Sequence, residues 1–123
     1  MLNIISICLG SCLGALSRYF ITEYFFKSNS FPWATLLINL SGCFLIGFLF
    51  NFFPAETKKL QEFKNFLFVG FLGSYTTFSS FGLQIHGLIK NGKIKEAFLY
   101  ICLSLLIGIF LVFLGNFIAK KLY

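Results

Sequence analysis

The sequence predicts an all-α membrane protein with four transmembrane helices, the third broken, assembled as an antiparallel dual-topology homodimer. Three observations carry that reading. The first is composition: 58% of the 123 residues are hydrophobic and 11% charged, with a mean hydropathy of +0.86. A soluble domain of this size buries about two thirds of its unfolded surface, so a chain this apolar would leave large adhesive patches in water. The second is the presence of four apolar runs long enough to span, since crossing a core of ~30 Å takes about 20 residues at ~1.5 Å each. The third is a tie in basic charge between the two sides of the membrane.

The first span is predicted over residues 2–26. The start Met-Leu-Asn-Ile-Ile has no basic segment and no small-residue cleavage site, so this run is expected to stay as a helix and not to act as a signal peptide. Gly10 and Gly14 form a GxxxG pair, the spacing that lets two helix backbones approach closely in lipid. A polar turn over 27–30 follows, and Pro32 suits a helix start. The second span is expected over residues 31–53, ending before Pro54 and the charged loop that reaches Lys64. The third span covers 63–89 and is closed by Lys90-Asn-Gly-Lys-Ile-Lys95. The fourth covers 97–118, with Lys120, Lys121 and Tyr123 as interfacial anchors and with Ser104, Gly108 and Gly115 marking one side.

An even number of spans puts both termini and the second loop on one face. That face carries Lys58, Lys59, Lys64, Lys120 and Lys121, and the other carries Arg18, Lys27, Lys90, Lys93 and Lys95. Orientation follows the excess of basic residues. A chain without an excess is expected to insert both ways and to pair antiparallel. The competing reading takes Arg18 out of the count by placing it inside the membrane. Four short helices also enclose little volume for a pathway, which again favours a dimer.

Polar groups at membrane depth are costly and therefore carry functional hypotheses. Thr35 and Asn39 lie four residues apart, on one helix face. The Asn39 amide offers two N–H donors to a dehydrated anion, or serves as an interhelical hydrogen bond. In the third span, Gly70-Phe-Leu-Gly-Ser-Tyr-Thr-Thr-Phe-Ser-Ser-Phe81 is a poor continuous helix, and a break is predicted between Gly73 and Thr77. Unwound carbonyls are tolerated there only if they line a cavity or bind a cation, for which sodium is a reasonable occupant. Phe78 and Phe81, at i and i+3, project from one face of the resumed helix. Their positive ring edges suit an anion held weakly, although packing is the other reading. Tyr100, Ser104 and Gly108 make a stripe at i, i+4 and i+8 whose hydroxyls either pass an anion along or bond a neighbouring helix. Arg18 sets a vestibule field, snorkels to headgroups, or pairs structurally. Cys8, Cys12, Cys43 and Cys102 lie in apolar runs without metal-ligand spacing and read as small buried hydrophobes.

Three stretches then carry a resemblance: Gly10-Ser-Cys-Leu-Gly-Ala-Leu-Ser-Arg-Tyr19, Ala34-Thr-Leu-Leu-Ile-Asn-Leu-Ser-Gly-Cys-Phe-Leu-Ile-Gly47 and Gly70 to Phe81. In order and spacing they resemble the signatures of the Fluc/CrcB fluoride channels, across essentially the whole chain. The resemblance implies that Asn39, Phe78, Phe81, Tyr100 and Ser104 line a fluoride path with Thr35 near it. It also implies that Gly73 and Thr76 offer carbonyls to a structural sodium ion at the dimer interface. The family forms antiparallel dimers with two pores that export fluoride passively across the microbial cytoplasmic (inner) membrane. Serine stands at Ser11 and Ser74 where the family often has a second glycine. Gln84 stands where an acidic residue is common, so no pore-mouth carboxylate is carried over.

A small multidrug exporter shares the size, span number and dual topology, but it needs a carboxylate embedded in the first helix. Glu23 lies near the helix end instead. A purely structural membrane protein would leave the polar insertions unexplained. No His, Cys and carboxylate cluster suggests an enzyme, and neither a nucleic-acid partner nor any cofactor beyond sodium is expected.

Overall fold

The computed structural model describes residues 2–25, 31–52 and 57–122. The polar turn at 27–30, Pro54 and Tyr123 lie outside the described residues. Helix α1 covers Leu2–Phe25. Helix α2 covers Trp33–Leu49 and tightens into a 3₁₀ turn over Phe50–Phe52. Its 17 residues rise about 26 Å, and the 3₁₀ turn adds about 6 Å, so the shortest helix still matches a ~30 Å core. Pro32 occupies the N-cap of α2, where its carbonyl accepts from the Leu36 N–H at 3.1 Å.

Helix α3 (residues 58–75) starts behind Thr57, whose hydroxyl accepts from the Leu60 N–H at 3.3 Å. It opens into π-helical turns over Asn65–Leu72 and closes with one turn at Gly73–Tyr75. Helix α4 covers Phe78–Lys90. Gly92, at φ 74°, turns the chain into α5 (Ile94–Leu122). This turn takes a left-handed backbone that glycine adopts without steric cost. Helix α5 has its own π-helical stretch at Leu103–Ile107. Every described element is helical. Helices α1 and α5 and the α3–α4 pair are long and apolar enough to cross a membrane, with α2 as a shorter apolar helix. The fold is thus all-α, with four apolar spans.

Packing runs in two pairs: α1 lies along α3, and α2 lies along the second half of α5. Glycines make both contacts possible. A Cβ on Gly10 would collide with the Phe66 carbonyl oxygen, and one on Gly14 with that of Phe71. Across the same crossing, Gly70 faces the backbone of Ile7 and Gly10. Gly47 and Gly115 do the same for α2 and α5, meeting the Val112 and Phe44 carbonyls. Backbones this close gain dispersion along the whole crossing, which in lipid replaces the hydrophobic drive. A polar clip adds to the second pair, as the Asn51 amide donates to Asn116 Oδ1 at 2.8 Å. Replacing Asn116 with Leu is expected to lower the stability of the purified protein by about 1 kcal/mol in a thermal melt, with the fold retained.

A buried apolar centre joins Leu36, Phe81, Leu88, Ala97 and Tyr100, so it lies between α2, α4 and α5. Outside it, large side chains such as Ile4, Leu9, Phe20, Leu106, Phe113 and Phe117 stand exposed. In water that surface would be untenable; against acyl chains it is the required exterior.

Candidate functional site

The break lies at two residues. Thr76 (φ −79°, ψ 154°) and Thr77 (φ −149°, ψ 120°) are both extended, a conformation that suits β-branched side chains. Backbone groups given up by the helix are recovered from side chains. Asn39 on α2 accepts from the Thr77 N–H at 2.9 Å and donates to the Thr77 carbonyl at 3.1 Å. The Thr76 hydroxyl turns back to the Leu72 carbonyl at 2.8 Å. Thr77 then caps α4, its hydroxyl accepting from the Ser80 N–H at 3.2 Å. Immediately before the break, the Tyr75 hydroxyl meets Ser41 of α2 at 2.9 Å. Gly42 leaves room for the Thr76 methyl, which a Cβ there would strike.

In a continuous helix the N–H groups of Thr77 and Ser80 would close the carbonyls of Gly73 and Thr76. Here both are spent elsewhere, on Asn39 Oδ1 and Thr77 Oγ1. Those two carbonyls are therefore released by the fold. Both residues line a cavity of about 360 Å³. Hard oxygen donors of this kind suit a cation such as sodium.

The same cavity is lined by Asn39, Phe78, Phe81 and Ser104, with Cys43, Ile46, Phe68 and Leu105 among its apolar walls. One N–H of the Asn39 amide is committed to Thr77, which leaves the second for the cavity. Ser104 Oγ is buried without a hydrogen-bond partner among the described residues. An unpaired hydroxyl at membrane depth costs about 1–3 kcal/mol. Ser104 lies in the π-helical stretch of α5, a distortion often found at functional positions. The Phe78 and Phe81 rings are 5.6 Å apart at 42°. Phe81 is buried, whereas Phe78 is 80% exposed on the protomer.

Tyr100 and Thr35 lie beside this cavity and do not line it. The Tyr100 hydroxyl donates to Gln84 Oε1 at 2.8 Å, and Gln84 Nε2 donates to Thr35 Oγ1 at 2.7 Å. The Tyr100 ring touches that of Phe81, with centroids 5.0 Å apart. Gln84 in turn lines a second cavity of about 380 Å³ with Thr22, Trp33, Asn91 and Lys93. So one contact chain, Gln84 to Tyr100 to Phe81, runs from the second cavity to the first. Arg18 is half-buried on α1 and lines neither cavity. Its carbonyl accepts from the Thr22 hydroxyl at 2.9 Å.

The role of Gln84 as a bridge between α2 and α5 was not readable from sequence, where it stands only as a departure from an acidic residue. Cys43 likewise gave no signal, yet it lines the cavity. Among the described residues there is no group of three or more His, Cys, Asp or Glu side chains.

Known proteins bear on this arrangement. The family model described as CrcB-like protein, Camphor Resistance (CrcB), matches residues 5–116. A fluoride-specific ion channel FluC of Hydrogenovibrio crunogenus is 34% identical over 100% of this chain and 95% of its own length. Its namesake in Desulfotalea psychrophila is 38% identical over 98% of this chain and 94% of its own length. That of Flavobacterium psychrophilum is 39% identical over 99% and 100%. A match of this extent leaves no place for the small multidrug exporter. Taken with the apolar helices, it makes the chain an integral membrane protein belonging to the CrcB family.

Proposed function

We propose that the chain is a fluoride channel that lets the ion leave the cell passively across the cytoplasmic membrane. The observation that carries this reading is the cavity at the Thr76–Thr77 break, which Asn39, Ser104 and two phenylalanines line without a carboxylate. Fluoride is small and strongly hydrated, so it enters a dry passage only where donors replace its water. Neutral donors and ring edges do so without the hold of a full positive charge, and that permits rapid exit. No catalytic group is needed: the protein is a conductor and not an enzyme.

Two copies inserted in opposite directions, each contributing to one of two pores, fit the tie in basic residues. Phe78, exposed on the protomer at a cavity wall, would be covered by the second copy. The released carbonyls of Gly73 and Thr76 would hold a structural sodium at that interface, supplying a fixed positive charge beside the break. Arg18, about two turns before the end of α1, would add to the field at the entrance or reach toward the headgroups. Acyl chains would cover the exposed apolar faces of α1 and α5.

Fluoride and chloride efflux from liposomes holding the purified protein tests the reading. Rapid fluoride loss with chloride retained is expected; equal leakage of both halides would refute it. In the same assay, Phe81→Ile, close in volume and so tolerant of the fold, is expected to slow fluoride about tenfold. That is the effect of about 1.4 kcal/mol of lost ring-edge stabilisation.

A further inference from the structure

Tyr75 lines neither cavity, yet it is buried and carries a hydroxyl at membrane depth. That hydroxyl lies 2.9 Å from Ser41 Oγ on α2. Ser41 gives its one proton to the Ile38 carbonyl at 2.9 Å, so Tyr75 is the donor of the pair. The ring itself is already held, stacked on Phe71 with centroids 5.7 Å apart at 9°. Packing alone would not need the oxygen: a phenylalanine would fill the same space without bringing a polar group into the bilayer.

Tyr75 closes the turn Gly73–Tyr75, and the extended Thr76 and Thr77 follow it. This turn therefore has no further turn after it to hold its last residue. Beyond Thr76, Asn39 binds both backbone groups of Thr77. Thr76 is thus bracketed by two residues of one helix, Ser41 through Tyr75 before it and Asn39 through Thr77 after it. We infer that the Tyr75–Ser41 bond is a positioning contact for the released carbonyls of Gly73 and Thr76. Gly73 opens the turn that Tyr75 closes, and Thr76 is the next residue, so anchoring Tyr75 steadies both. Oxygens that are to hold a cation bind more tightly when they are set beforehand, because ordering backbone on binding costs entropy. This rests on the structural-sodium reading and adds to it two residues that neither the family match nor the names of the relatives assign.

The test follows thermal melts of the purified parent, Tyr75→Phe, Ser41→Ala and the double variant as sodium replaces N-methylglucamine at constant ionic strength. A ligand bound only by the folded protein raises the melting temperature once its concentration passes the dissociation constant. The parent should show that onset, and each single variant should show it at about tenfold more sodium. The double variant should need no more sodium than either single one, since both substitutions remove the same bond. Asn116→Leu, which breaks the bond to Asn51 away from both cavities, is the control; it should melt lower at every sodium concentration with the parent's onset. An onset unchanged in Tyr75→Phe and Ser41→Ala, whatever their melting temperatures, would make the bond merely structural and overturn the inference. An onset equally displaced in Asn116→Leu would overturn it too. A parent whose melting temperature ignores sodium would instead overturn the sodium reading beneath it.

Discussion

Asn39→Asp is expected to abolish fluoride efflux while the protein still purifies as a folded species. The exchange is nearly isosteric, and the new carboxylate keeps accepting the Thr77 N–H that the amide now holds at 2.9 Å. It loses both donors, the one bound to the Thr77 carbonyl at 3.1 Å and the one left for the cavity. It also sets a negative charge beside the passage. A charge about 4 Å from a permeating anion costs about 4 kcal/mol at an effective dielectric of about 20, and that corresponds to about a thousandfold in rate. Asn39→Ala separates the two roles of this residue. Without an amide, the N–H and C=O of Thr77, itself 9% exposed, are left unpaired at about 1–3 kcal/mol each. Both variants should therefore lower the melting temperature, since aspartate leaves the Thr77 carbonyl unpaired and alanine leaves both groups so, but aspartate should lower the flux further. Efflux normalised to protein content, read beside a thermal melt, distinguishes them.

Gly14→Leu is expected to have the largest effect on the fold. A Cβ at this position would run into the Phe71 carbonyl oxygen, and backbone cannot move aside as a flexible side chain would. Because α1 packs chiefly on α3, the larger residue would lever α1 off its main partner and also disturb the turn that leads to the break. Even Gly14→Ala should reduce the yield of monodisperse protein. Gly82→Ala is the matched control, since a Cβ there meets nothing within 4 Å. Size-exclusion yield and resistance to protease should fall steeply for the first variant and stay unchanged for the control.

Much of this architecture was legible because membrane crossing imposes a length and an apolarity that a single sequence displays. The break was also legible, since Gly73, Thr76 and Thr77 in mid-span contradict a continuous helix; only its width had to come from the structure, which narrows it to two residues. What held the break together was less visible. Asn39 stood out as a polar side chain in α2, but its two bonds to Thr77 join residues 38 positions apart, and no local pattern records that pairing. Gly10 and Gly14 announced a close crossing without naming its other side, which is the Phe66–Phe71 backbone together with Gly70. The π-helical turns of α3 and α5 had no signature at all. The sequence set Tyr100 and Ser104 on one stripe; Ser104 lines the cavity, and Tyr100 bonds Gln84. The Thr35–Gln84–Tyr100 bridge depends on three helices meeting, a property of packing and not of spacing.

The central claim is that the cavity bordered by Asn39, Phe78, Phe81 and Ser104 is the passage itself. Cys43 offers a direct way to close it, because it is one of the residues lining that wall. With Cys8, Cys12 and Cys102 replaced by alanine, a methanethiosulfonate reagent adds bulk at this one position, and mass spectrometry gives the labelled fraction. Fluoride efflux should fall in proportion to that fraction and return on reduction. Undiminished efflux from fully labelled protein would contradict the account.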